Sequence, residues 1–132
     1  MSNVQLSTGR TARGDDLSER MLTFAVRVYK LSKALPRDPF ARHVALQMFR
    51  SGTSVGANYE EARGAESRED FVHRMKVVLK ELKETSFWVR FVHRAELVKP
   101  HLVEPLLNEV EELCRIVGKR VSTARRRSQT PD

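Results

Sequence analysis

The stretch from Arg50 to Gly64 constrains the fold most, because its composition disfavours the helix that its spacing predicts. Residues 51–56 are all weak helix formers, and together they would cost an isolated helix about 3–5 kcal/mol relative to alanine. Small or apolar residues nevertheless recur in alternating steps of four and three, as one helix face requires. They are Val44, Met48, Ser51, Val55, Asn58 and Ala62. We therefore expect tertiary contacts to hold this segment helical, with a neighbouring helix packed closely against it.

Three further segments show the same amphipathic period and predict three more helices. The first covers residues 16–35 with Asp15 or Asp16 as its cap, and another covers about 67–94. The last contains Pro105, which we place in its first turn, where proline is tolerated. The three apolar stripes are Leu17, Met21, Phe24, Val28, Leu31 and Leu35; Phe71, Met75, Val78, Leu82, Thr85, Val89 and Val92; and Leu102 or Val103, Leu106, Val110, Leu113, Val117, Val121 and Ala124.

The connections between these helices are short. Residues 36–39 read Pro-Arg-Asp-Pro, a tight corner in which Asp38 caps the next helix and Pro39 takes its first position. Ser67, followed by Asp70, approximates a capping box. Short connections make successive helices antiparallel, so the sequence predicts an all-α, up-down-up-down four-helix bundle.

The 132 residues fit one domain. We expect residues 1–15 to form a disordered N-terminal arm, residues 16–124 the bundle, and residues 125–132 a basic C-terminal tail that is disordered beyond Arg127. No apolar run is long enough to span a bilayer, and no apolar leader opens the chain. With Cys114 as the single cysteine, these features favour a cytoplasmic location.

The charge balance favours polyanionic partners. Lys and Arg outnumber Asp and Glu by 24 to 17, for a net charge of +7. The same excess is equally compatible with a role in solubility alone. If the ligand is RNA or DNA, the candidate phosphate contacts are basic residues outside the apolar stripes: Arg37, Arg42, Arg63, Arg68, Lys76, Arg125, Arg126 and Arg127.

The second half of helix three carries large apolar groups on almost every face, within residues 87–92. One antiparallel neighbour cannot cover all of them, which indicates a subunit interface containing Phe87, Trp88 and Phe91. The alternative is that helix four and the loop near Pro100 cover them within one chain.

No pattern for catalysis or for a metal is found. Gly52 and Gly56 lack the lysine and the preceding strand of a phosphate-binding loop, and no two histidines share a helix face at ligand spacing. Cys114 lies beside the stripe of helix four, as a small core residue would. We therefore expect no metal, no cofactor and no enzymatic activity.

Polar residues on the two middle helices have a structural interpretation. Arg50, Asn58, Glu61 and Glu84 are predicted to form a hydrogen-bonded network that fixes helix register, rather than an acid–base or metal site.

Several motifs of this chain are distinctive: YKLSKALP at 29–36, QMFRS at 47–51, SVGAN at 54–58 with Glu61, Arg63-Gly64, and Phe71. They resemble the four-helix-bundle proteins encoded in intervening sequences of 23S ribosomal RNA genes. The resemblance covers roughly residues 20–120. The chain departs from the family at Gly56, Ala62 and Lys80-Glu81, which indicates a divergent subfamily.

The resemblance implies an antiparallel four-helix bundle that assembles as a ring-like homopentamer and has no established catalytic activity. The family is also similar to the accessory bundle protein of diversity-generating retroelements, a pentamer that binds nucleic acid and a reverse transcriptase. Two functions follow as hypotheses. One is a homo-oligomer that binds structured RNA or another nucleic acid; the other is a scaffold or adaptor for a protein partner, with no nucleic-acid ligand.

Overall fold

The protein is an antiparallel bundle of four helices, as the sequence predicts. The computed structural model describes the backbone of residues 9–129 and the side chains of residues 16–127. The helices are α1 (Gly9–Ala34), α2 (Pro39–Arg63), α3 (Arg68–Arg94) and α4 (Pro100–Gln129). Each packs against its two neighbours around the bundle, whereas the diagonal pairs α1–α3 and α2–α4 do not touch within the described part of the chain. Hence α1 and α3 expose opposite faces of the molecule.

Two helix starts follow the predicted capping chemistry. The Asp38 carboxylate accepts hydrogen bonds of 3.0 Å from the backbone N–H groups of Phe40 and Ala41. Pro39 then occupies the first turn of α2. At α3 the Ser67 hydroxyl accepts from the N–H of Asp70, while the Asp70 carboxylate reaches back to the N–H of Glu66. In a regular capping box the Asp70 carboxylate would accept from the N–H of Ser67; here it accepts from the residue before it, Glu66.

The outer helices extend further than predicted. Helix α1 starts at Gly9, so residues 9–15 are helical and neither Asp15 nor Asp16 is its cap. A packed helix propagates outward at little cost through good helix formers such as Ala12 and Arg13. Helix α4 likewise runs through Arg125–Arg127 to Gln129. The predicted arm at residues 1–8 and tail end at 130–132 lie outside the described residues.

The core follows the predicted stripes, although Phe71 and Ala124 are only partly buried. At the start of α4 Val103 is buried and Leu102 is half exposed, which resolves the alternative left by the sequence. On α2 Tyr59 is buried where Asn58 was expected, because the helix face has turned by one residue there. Pro105 lies in the second turn of α4, because the helix begins at Pro100.

The small residues of α2 allow close approach on two sides, whereas the sequence predicted one close neighbour. Toward α1, a Cβ on Gly52 would lie only 2.7 Å from Cγ1 of Val28. Toward α3, the fully buried Ser51 and Thr85 share a hydrogen bond of 2.8 Å between their hydroxyl groups. The Thr85 hydroxyl lies equally close to the Glu81 carbonyl oxygen. This polar pair sits within the apolar layer fully satisfied, as buried polar groups normally are.

Candidate nucleic-acid interface

Ion pairs with neighbouring helices neutralise one group of arginines. Arg20 on α1 donates two hydrogen bonds, of 2.8 and 2.9 Å, to Glu109 on α4, and this contact raises the pKa of Arg20. Arg74 on α3 donates to Glu61 on α2 at 2.8 Å. It also pairs with Asp70 one turn earlier. Exposed pairs of this kind add roughly 0.2–1 kcal/mol each to stability, but they remove positive charge from the outer surface.

A second group of cations lies along the outside of α3 without such partners. Exposed residues recur on this helix in steps of three and four, so they share one face. None of its lysines and arginines from residue 76 to residue 94 forms an ion pair with another described residue. The row is about 27 Å long at 1.5 Å per residue. We call it the α3 ridge; its cations are Lys76, Lys80, Lys83, Arg90 and Arg94.

The cations predicted from the sequence do not form one surface. Arg37 and Arg42 lie where α1 meets α2, and Arg42 donates a long hydrogen bond of 3.5 Å to the Ser32 carbonyl. Arg63 lies at the far end of the 25-residue helix α2, about 32 Å from Arg42 at 1.5 Å per residue. There its guanidinium donates to the Ser18 hydroxyl at 2.7 Å. These arginines therefore belong to opposite ends of the bundle.

The remaining predicted cations lie close to the α3 ridge. Arg68 opens α3 and donates a hydrogen bond of 3.0 Å to the carbonyl of Arg127, which joins the start of α3 to the end of α4. Lys76 belongs to the ridge itself, and residues 125–127 are exposed. Sequence reasoning missed the other ridge cations, Lys80, Lys83, Arg90 and Arg94. Their own period of three and four, out of phase with the apolar stripe, was the signal that could have found them.

The aromatic residues of α3 divide into an anchored one and two exposed ones. Trp88 is half-buried, donates from Nε1 to Glu84 at 3.2 Å, and contacts the ring of His43 on α2. Phe87 and Phe91 are 51% and 44% exposed, so neither α4 nor the loop near Pro100 covers them. They flank an open groove of about 330 Å³. The predicted interface residues thus include a helix-packing residue, Trp88, and two residues available to a ligand or partner.

The four residues predicted to form one polar network are divided among separate contacts. Arg50 bonds directly to Glu84; this contact raises the pKa of Arg50 and lowers that of Glu84. Glu61 pairs instead with Arg74, and the Asn58 side chain donates to the Ser54 carbonyl one turn earlier. These contacts lie at the surface between helices. In the buried layer the cross-helix polar contact is that of Ser51 with Thr85.

The described residues hold no group of three or more His, Cys, Asp or Glu side chains that could bind a metal ion. Cys114 is half-buried against the core, and this burial raises the pKa of its thiol. His93 contacts Glu104 at 3.2 Å, a single surface pair. Among the described residues, no helix is both long and apolar enough to cross a membrane.

Together the fold and this surface define an antiparallel four-helix-bundle protein with a row of exposed cations along α3. The family model described as 23S rRNA-intervening sequence protein matches residues 16–119. The chain belongs to this family.

A solved structure supports the same assignment. The chain is 34% identical to a protein of unknown function from the S23 ribosomal protein family of Bacteroides thetaiotaomicron, whose crystal structure superposes with a TM-score of 0.73. The match covers 79% of this chain and 96% of that one. No curated protein matches the chain. The solved relative is of unknown function, so these comparisons assign no activity to the family.

Proposed function

We propose that this protein is a non-enzymatic bundle protein that binds structured RNA, or another nucleic acid, through phosphate contacts along the α3 ridge. The observation that carries the proposal is the unpaired state of the ridge cations, against the paired state of Arg20, Arg50 and Arg74. A cation that is paired with a carboxylate is already neutralised and attracts phosphate weakly. An unpaired cation can bind a phosphate and release the counterion that this phosphate held.

The dimensions of the ridge suit a nucleic-acid backbone. At 3.4 Å per base pair, a straight row of about 27 Å spans roughly eight base pairs of B-form duplex. Lysines and arginines in a row contact phosphates without reading bases. The family name supports ribosomal RNA as the first ligand to test, and the single free Cys114 supports a reducing compartment such as the cytoplasm.

Self-association is a second part of the proposal, supported by an apolar surface on the opposite side of the molecule. Leu22, Val26 and Tyr29 form an exposed row along α1, and the Tyr29 ring meets that of Phe49 on α2 at 6.1 Å. These four residues, here named the α1–α2 patch, are each 39–58% exposed. Contiguous apolar surface of this kind marks a protein interface. Light scattering tests assembly and the pentamer that the resemblance implies; a monomer would contradict this part of the proposal.

The test of nucleic-acid binding is a salt series with the nuclease-treated protein, a structured ribosomal RNA fragment and a matched DNA duplex. If the five ridge cations all contact duplex phosphates, log affinity should fall against log salt with a slope of about −4.5. Absence of binding at low salt would refute the proposal. The positive charge would then serve solubility, and a scaffold for a protein partner would become the better account.

A further inference from the structure

Phe87 and Phe91 lie within the α3 ridge, not beside it. They occupy exposed positions one turn apart, and the ridge cations Lys83, Arg90 and Arg94 precede, separate and follow them on the same face. Their ring centroids are 6.5 Å apart, and the two rings are inclined by 40°. The groove of about 330 Å³ is lined by both rings together with Arg90, Arg94 and Ala95. Aromatic faces and guanidinium groups thus share one open cavity.

The positive charge around Phe87 and Phe91 determines which kind of partner can cover the two rings. A second copy that docked ridge against ridge would bring like charges together, which costs binding energy. An ordinary apolar partner would leave Arg90 and Arg94 desolvated without a counterion, since neither forms an ion pair within the described chain. Single-stranded nucleic acid supplies both flat bases for the rings and phosphates for the guanidinium groups.

Contacts with Trp88 hold the rings of Phe87 and Phe91 in place. Trp88 meets Phe87 edge-on at a centroid distance of 4.9 Å and lies 6.2 Å from Phe91. Trp88 is itself fixed by its hydrogen bond to Glu84, which Arg50 binds in turn. A stacking surface that is already ordered loses less entropy when a base binds.

We infer that the groove between Phe87 and Phe91 binds unpaired bases of single-stranded RNA, stacked on the two rings, while Arg90 and Arg94 contact the adjoining phosphates. This inference rests on the proposed function and extends it. The phosphate contacts along the ridge serve duplex and single strand alike, whereas the groove serves only unpaired nucleotides, because bases inside a duplex are already stacked on one another.

Trp88 is the single tryptophan of the chain, so its fluorescence reports on the groove. The probes are an oligouridylate of about 12 nucleotides and an RNA duplex of the same length. Binding of the single strand should quench the Trp88 emission, and binding of the duplex should leave it nearly unchanged. The double variant Phe87→Leu/Phe91→Leu should bind the single strand roughly 10- to 100-fold more weakly and the duplex with unchanged affinity.

The control is Tyr29→Leu, which removes an aromatic ring of the same exposure as Phe91, 44%, from the opposite side of the bundle. Because leucine keeps the α1–α2 patch apolar, this variant should assemble and bind both probes as the unmodified protein does. Equal effects of the Phe87→Leu/Phe91→Leu variant on both probes, or no effect on either, would overturn the stacking inference and leave phosphate binding intact. If the unmodified protein bound neither probe, the proposed function would fail together with the inference.

Discussion

A Cβ atom on Gly52 would lie 2.7 Å from Cγ1 and 3.0 Å from Cγ2 of Val28, so the contact between α1 and α2 at this point requires glycine. Val28 is fully buried, and its branched side chain has no free space to enter. The helix-weakening residue is thus tolerated because it allows two helices to approach closely.

The variant Gly52→Ala is expected to lower the free energy of unfolding by about 1–2 kcal/mol, because overpacking outweighs the higher helix propensity of alanine. Gly118 on α4 is the matched control, since a Cβ there meets no atom within 4 Å. Gly118→Ala should raise the free energy of unfolding by up to about 1 kcal/mol. Urea denaturation measures both variants, and an equal gain in both would contradict the close contact at Gly52.

A second prediction concerns the end of α3. Glu96 has φ of 56° and follows the helix in a Schellman arrangement, with the Leu97 N–H bonded to the Val92 carbonyl and the Glu96 N–H to the His93 carbonyl. Left-handed backbone is strained for a residue with a Cβ. Glu96→Gly should therefore raise the free energy of unfolding by about 0.5–1 kcal/mol in thermal or urea unfolding.

Ala95, one residue earlier, provides the control for Glu96. Its φ of −81° is ordinary right-handed backbone, so Ala95→Gly should lower the free energy of unfolding by about 0.5–1 kcal/mol. A loss of stability in both variants would show that the left-handed conformation at Glu96 carries no strain.

The contact between Arg50 and Glu84 should make stability depend on acid pH. Because hydrogen bonding to Arg50 lowers the pKa of Glu84 in the folded state, the stabilising contribution is complete above the unfolded value of 4.5. It is lost as pH falls through the lower, folded value. Glu84→Gln should thus cost roughly 0.2–1 kcal/mol at pH 7 and nearly nothing at pH 2, measured by urea unfolding at each pH.

Glu111 forms no ion pair with another described residue, so Glu111→Gln should differ little from the unmodified protein at either pH. A deficit in Glu84→Gln that persisted at pH 2 would mean that the carboxylate charge is not what stabilises this contact.

Assembly should depend on the α1–α2 patch more than on the α3 ridge. Val26→Asp places a charge at the centre of the exposed apolar row and should reduce the oligomer to monomers, as measured by sedimentation velocity. Thr23→Asp, exposed on the same helix outside the patch, adds the same charge and should leave assembly unchanged. If Phe87→Asp dissociated the oligomer and Val26→Asp did not, the interface would lie at the aromatic residues of α3.

The fold could be predicted from the sequence because apolar periodicity indicates every helix, even in α2, where the composition of residues 51–56 disfavours one. Asp38 and Ser67 are capping residues that mark the starts of α2 and α3. Residues of one apolar stripe, such as Val78 and Leu82, face the core whichever helices pack against them. The helical residues 9–15 were missed because the apolar period begins only at Leu17, and no local signal marks how far a helix propagates beyond it.

The basic surface could be predicted only as a set of outward positions. Which cation remains unpaired depends on carboxylates from other helices: Arg50 meets Glu84 across 34 residues of sequence, and Arg20 meets Glu109 across 89. The four residues predicted to form one network do not form a single unit for the same reason, because Glu61 pairs with Arg74 on α3 and not with Arg50. The exposed positions of the α3 ridge could be predicted from their spacing in the sequence. The absence of ion pairs to these cations within the described chain could not.

Charge reversal within the α3 ridge tests most directly whether this ridge is the surface that binds nucleic acid. Lys80→Glu/Lys83→Glu should weaken binding to the ribosomal RNA fragment and shift the salt slope toward zero by about 1.4–1.8, as two lost phosphate contacts require. Arg27→Glu/Lys30→Glu makes the same change in net charge on α1, diagonally opposite, at two cations that line the groove toward α4. It should leave the slope unchanged; an equal loss of affinity and slope in both variants would contradict a localised surface.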